Sequence, residues 1–230
     1  MAFIESPSPN WDERGRPIDM IVLHYTGMVS GEEALARLRS QEAGVSSHYL
    51  VMENGDTHRL VDEEKRAWHA GVSSWQGDTQ TNARSIGIEI VNPGHEWGYR
   101  AFPQSQISSV EKLVGDIASR RKICPTLVIG HSDVAPLRKE DPGELFPWAR
   151  LAELGLTIAP FAGTASPSLT YMDAIEALRE IGYDAPDGAH GAAVLAFQRH
   201  FCPSDLGQSL SPLTRTAIQA VLEACRQQRN

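Results

Sequence analysis

Ile18-Asp19-Met20-Ile21-Val22-Leu23-His24-Tyr25-Thr26 is a short, nearly continuous apolar run that carries a histidine at its far end. A run of this length and composition reads as a buried strand. Downstream, Ser30 with Glu33 three residues later spells a capping box and starts a helix. Residues 47–61 read as a hairpin, two strand-like runs around an Asn54-Gly55 turn. Residues 85–91 alternate, with Ile86, Ile88 and Ile90 on one side and Gly87 and Glu89 on the other. Ile107, Val110, Leu113, Val114 and Ile117 recur at helical spacing over 106–122. Pro125 stops that helix, and 126–130 reads as a strand running into His131. Strands alternate with helices, so the predicted class is α/β or α+β, a central mixed β-sheet flanked by helices.

The texture changes near residue 158. Residues 158–167 are rich in Pro, Gly and small residues and read as a linker. Three helical patterns follow, at about 170–182, about 190–201, and from a Ser211 cap with Pro212 in the first turn. The expected organisation is a domain over 1–157, a linker over 158–167 and a small three-helix domain over 168–230. On this division, removing 158–230 leaves the chemistry of 1–157 intact.

Composition narrows the function classes. The 230 residues carry a net charge of −8. The one basic triplet, Arg120-Arg121-Lys122, falls where a helix C-terminus favours cations, so no nucleic-acid partner is expected. No apolar run reaches the roughly 18 residues of a membrane span. Met1 to Pro7 lacks the charge and apolar core of a secretion signal, which predicts a cytoplasmic protein. A processed form of an exported, periplasmic protein would look the same. Cys124, Cys202 and Cys225 are odd in number and widely spaced, which is no disulfide framework. A monomer is expected.

The chemistry gathers around His24, His131 and Asp141. Both histidines end strand-like runs, where sites in α/β sheets collect, and Asp141 opens an Asp-Pro-Gly turn. Two imidazoles and a carboxylate leave a fourth tetrahedral position for water, the arrangement of a catalytic zinc. Two structural histidines would give the same spacing. Glu89 is costly to bury beside three isoleucines unless it is paired or functional. It reads either as a proton carrier next to a zinc-bound water or as the solvated half of the alternation. Lys139 reads as an oxyanion partner if a metal is present, and otherwise as a surface lysine. Trp68-His69-Ala70-Gly71 could line a cleft. Nucleophilic catalysis is poorly supported, because no Gly-x-Ser-x-Gly is present.

Five blocks occur in order: Leu23-His24-Tyr25-Thr26, Ser47-His48-Tyr49 with Asn54-Gly55, Ala67-Trp68-His69-Ala70-Gly71, Asn82 with Ser85-Ile86-Gly87-Ile88-Glu89, and Gly130-His131-Ser132-Asp133 through Lys139 to Asp141-Pro142-Gly143. Together, over residues 15–157, they resemble the type-2 N-acetylmuramoyl-L-alanine amidases, relatives of the peptidoglycan recognition proteins. The resemblance implies a mixed sheet with helices on its faces. It implies a Zn2+ cofactor on His24, His131 and Asp141, with Glu89 and Lys139 as the catalytic pair. Tyr25, Trp68 and His69 become candidate substrate-binding residues. Tyr25-Thr26 matches the outer-membrane-anchored branch rather than the cytosolic recycling branch. Residues 168–230 resemble that branch's peptidoglycan-binding domain, although His190-Gly191 replaces its usual acidic-Gly-aromatic-Gly run. The implied activity is cleavage of the amide between N-acetylmuramic acid and L-Ala in peptidoglycan or a muropeptide. The rivals are a muropeptide recognition protein without activity, and a zinc hydrolase acting on another amide.

Overall fold

The computed structural model describes residues 2–166, 169–207 and 209–229. The expected boundary at 167/168 lies outside them. In chain order the elements are β1 (Ile4–Glu5), β2 (Trp11–Glu13), β3 (Met20–Tyr25), α1 (Gly31–Arg39), β4 (Tyr49–Val51), β5 (Thr57–Arg59), β6 (Lys65–Ala67), α2 (Thr81–Arg84), β7 (Ser85–Ile90), α3 (Gly94–Trp97), α4 (Gln104–Arg121), β8 (Val128–Gly130), α5 (His131–Val134), α6 (Trp148–Glu153), α7 (Tyr171–Ile181), α8 (Gly191–Phe201) and α9 (Pro212–Arg229). The main sheet has the order β1-β5-β4-β7-β3-β8, and β2 pairs with β6 in a separate ribbon. It is mixed: β3 runs parallel to β7 and β8, while β4 and β5 form the expected antiparallel hairpin. Among the described residues no helix is long and apolar enough to cross a membrane.

The period-2 geometry of β3 explains the layers. Ile21 and Leu23 point to one side, where they join Ile86, Ile88 and Ile90 and the buried face of α4. Met20 and Val22 point to the other, where they meet Ile129, Val134 and the apolar faces of α7, α8 and α9. His24 continues that second face, and β3–β7 pairing sets Val22 opposite Gly87 and His24 opposite Glu89. One side of the sheet is therefore core against the C-terminal helices at one end and functional site at the other.

Several local expectations change. Only 128–130 is strand, because Pro125 opens a 3-10 turn over Pro125–Leu127. His131 begins α5 rather than ending a strand. The short strands β1, β2 and β6 carry two or three residues each, too few to show an alternation. Ser30 caps α1 as expected, its Oγ accepting from the Glu33 N–H at 3.2 Å. The three C-terminal helices are all present, with Ser211 Oγ accepting from the Thr214 N–H. They share one apolar cluster with the sheet, so no break in the core coincides with residue 157.

Candidate active site

His24, His131 and Asp141 converge. His24 Nδ1 and His131 Nδ1 lie 2.9 Å apart, and Asp141 Oδ2 is 3.1 and 3.0 Å from them. All three residues are buried. Among the described residues they form the one group of histidine, cysteine and carboxylate side chains close enough to share a metal ion. Their separations are near the roughly 3.3 Å edge of a tetrahedron with metal–ligand bonds of about 2.0 Å.

The far sides of the two imidazoles determine which nitrogen carries the proton. The Thr81 carbonyl can only accept, so the Ser85 hydroxyl donates to it at 2.6 Å. Ser85 Oγ then accepts from His69 Nε2–H at 3.1 Å. That leaves His69 Nδ1 to accept from His24 Nε2–H at 3.0 Å. His131 Nε2–H donates to the Ala70 carbonyl at 3.0 Å. Neutral imidazole carries one ring proton, so both Nδ1 atoms face the cluster as lone pairs. Two lone pairs and a carboxylate converging within 3.1 Å repel one another unless a cation lies among them. The donor set fits a divalent metal of the zinc type.

Electrostatics agree with that reading. Burial, followed by the neighbouring His131, lowers His24 to about 4, which keeps it neutral. Burial and the nearby His24 hold His69 well below the usual histidine range. Glu89 shifts the other way. Burial and the Asp141 charge push it well above 4.5, with Lys139 opposing. One Glu89 oxygen, Oε2, is buried with no hydrogen-bond partner.

One cavity of about 280 Å³ is lined by His131 and Asp141 together with Tyr25, Trp68, His69, Glu89 and Lys139. Every site residue expected from the sequence except His24 borders it, and His24 touches the lining residues His69, His131 and Asp141. Tyr25 sits at the rim, its hydroxyl 2.9 Å from His95 Nδ1. The Trp68 indole N–H donates to Asp12 Oδ2 at 2.7 Å, which holds the ring as a wall. His69 also lines the cavity, but both its ring nitrogens are engaged, one by His24 and one by Ser85. Sequence reasoning missed Ser85, the Thr81 and Ala70 carbonyls, and Arg37, which also borders the cavity. It also missed why residue 87 is glycine. A Cβ there would come 2.4 Å from the His69 ring. A lone glycine in an isoleucine strand is a recognised sign of such close approach, and it was available in the sequence.

Residues 14–144 match the pattern of the N-acetylmuramoyl-L-alanine amidase family, type 2. The chain belongs to that family. As a member it is an amide hydrolase. The E. coli amidase AmiD is 36% identical over 231 residues, covering 90% of this chain and 83% of AmiD. The structure of E. coli AmiD in complex with the substrate anhydro-N-acetylmuramic acid-L-Ala-D-gamma-Glu-L-Lys superposes with a TM-score of 0.81 at 34% identity, covering 90% of this chain and 89% of that one. The structure of AmpDh3 from Pseudomonas aeruginosa in complex with anhydromuramic pentapeptide gives 0.82 at 30% identity, covering 95% of each chain. These similarities extend through the C-terminal helices as well as the sheet.

Proposed function

We propose that this chain is a zinc-dependent amidase that cleaves the amide between the lactyl group of N-acetylmuramic acid and L-Ala, in muropeptides or peptidoglycan. The observation that carries this reading is the convergence of two fixed imidazole lone pairs and the Asp141 carboxylate, beside Glu89 in one cavity. His24, His131 and Asp141 would hold the zinc. When bound, zinc supplies Lewis acidity toward the amide carbonyl and acidifies a water. Glu89 takes a proton at its carboxylate and returns it to the departing L-Ala amine. Its raised affinity for a proton suits that holding role. Lys139 places its ammonium where negative charge develops on the carbonyl oxygen. Tyr25 and Trp68 form walls against the sugar or stem peptide. His69 acts behind the site, orienting His24. In this reading residues 1–157 carry the chemistry, and the helices after 168 add contacts to the cell wall and complete the core. A non-catalytic recognition role fits less well, because all three ligand positions and Glu89 are present.

The test is incubation of the purified protein with muropeptides, followed by mass spectrometry with and without a chelator. Release of the free stem peptide, abolished by chelation and restored by zinc, is the expected result. Glu89→Gln keeps the side-chain shape and removes the base. Turnover should fall by about 10²–10⁴-fold with zinc content retained. Turnover within a factor of a few of wild type would leave the mechanism without its proton carrier.

A further inference from the structure

We infer that α8, with Tyr183 beside it, is a positioning device for the two segments that carry His131 and Asp141. This rests on reading those residues as metal ligands. The two segments form a single unit. The Ser132 N–H donates to the Asp141 carbonyl at 2.8 Å, and a Cβ on Gly130 would come 2.8 Å from Pro142 Cδ.

The C-terminal helices grip that unit at two places. The first is Asp133, two residues beyond His131 and 0% exposed. Its Oδ2 accepts from the Gly130 N–H and from His200 Nδ1–H, both at 2.7 Å. Its Oδ1 accepts from the Tyr183 hydroxyl at 2.5 Å. The His200 ring is itself clamped, stacked on Trp148 and on Phe201 with centroids 3.7 Å away in each case. The second grip is Arg199, the neighbour of His200 on α8. It donates to Glu140 Oε1 at 2.8 Å, and Glu140 lies between Lys139 and Asp141 in the chain. Adjacent residues of one helix thus hold one segment by Asp133 and the other by Glu140.

The chemistry of the grip argues for orientation over simple adhesion. A fully buried carboxylate–imidazole contact costs desolvation, and an apolar pair of equal volume would give equal or greater stability. What the polar contacts add is direction. Asp133 has donors on both oxygens, and the short helix α5 has little freedom to turn about them. Rotation of α5 would carry His131 Nδ1 away from His24 and Asp141. Groups outside the ligands set the fit of a metal site in this way.

The experiment uses the full chain and the rate at which zinc passes to a chromophoric chelator. Tyr183→Phe removes one hydroxyl, and Arg199→Met removes the Glu140 contact; the two are also combined. The pair should release zinc about 10-fold faster, each single variant less, with Arg199→Lys partly restoring the rate. The kcat for a soluble muropeptide should fall while KM stays near wild type. The cobalt-loaded pair should also show a shifted visible spectrum. Phe197→Leu, a core change in the same helix, controls for destabilisation and should lower Tm without altering zinc release. Variants that lose Tm yet release zinc as wild type and Phe197→Leu do would overturn the inference and leave the zinc reading standing. A wild-type protein that binds no zinc would remove both.

Discussion

Replacing Gly87 by alanine adds one methyl group on a strand behind the site. In an unobstructed strand the change would stabilise by about 0.5–1 kcal/mol, because glycine loses more chain entropy on folding. Here the added Cβ would lie 2.4, 2.6 and 2.7 Å from Cγ, Cδ2 and Nδ1 of His69. Ordinary carbon contacts are about 3.5–4.0 Å, so the ring must move by roughly 1 Å. His69 is held at 3.0 Å by His24 and 3.1 Å by Ser85, and a shift of that size stretches at least one bond past about 3.5 Å. Two effects follow. Overpacking should cost about 1–3 kcal/mol of stability, reversing the sign expected of a free strand position. Loss of the partner that orients His24 should weaken zinc binding about 10–100-fold, or roughly 1.4–2.7 kcal/mol. Ser85→Ala removes the anchor of the same relay without overpacking, and should weaken zinc binding by less. The assays are competitive zinc titration against a chelator and thermal unfolding at saturating zinc. A Gly87→Ala protein with a lower Tm but zinc affinity within twofold of wild type would show that His69 only fills space. A raised Tm would refute the steric argument itself.

The same geometry sets other outcomes. Alanine at His24, His131 or Asp141 should lower zinc occupancy in elemental analysis, and a fully loaded triple variant would contradict the ligand assignment. Glu63 should make stability acid-sensitive: burial would raise it, but hydrogen bonds from Arg120, Arg121 and Tyr49 outweigh burial and lower it from 4.5 to about 2. A depressed carboxylate stabilises above its unfolded value, and this is lost as pH falls from about 4.5 to about 2. The upper bound is about 3 kcal/mol, discounted to roughly 1–2 because the Arg120 side chain is 45% exposed. Urea unfolding of wild type and Glu63→Gln should converge over that window, and a gap unchanged between pH 7 and pH 3 would count against it. Cutting the chain after residue 157 should uncover Met20, Val22, Ile129 and Val134, each large side chain worth about 1.5–3 kcal/mol. Dye binding to exposed apolar surface should rise and Tm fall, whereas a fragment with wild-type Tm would show that the shared core is dispensable.

Much of the scaffold was legible because it rests on local patterns. The apolar run ending in His24, the Asn54-Gly55 hairpin, the alternation around Glu89 and the helical spacing of 106–122 each state their own structure through periodicity and turn chemistry. Of the sites named from sequence, His131, Asp141, Glu89 and Lys139 do meet at one cavity, and His24 lies against His131 and Asp141. Segment ends were less legible, since Pro125 and the short strands β2 and β6 respond to neighbours that spacing does not show.

What only the tertiary structure decided is orientation. A list of residues does not say which imidazole nitrogen faces a metal. That follows from a carbonyl at Thr81 passing its demand for a proton through Ser85 and His69 to His24. Nor does it say that Arg199 and His200, 58 and 59 residues past Asp141 in the chain, brace the segments bearing two of the ligands. The sequence determined which groups are present and which strands and helices carry them, because those depend on neighbours within a few residues. Hydrogen-bond direction and steric contact between distant segments depend on distances of about 3 Å, and the chain acquires those only when the sheet and the C-terminal helices close on each other.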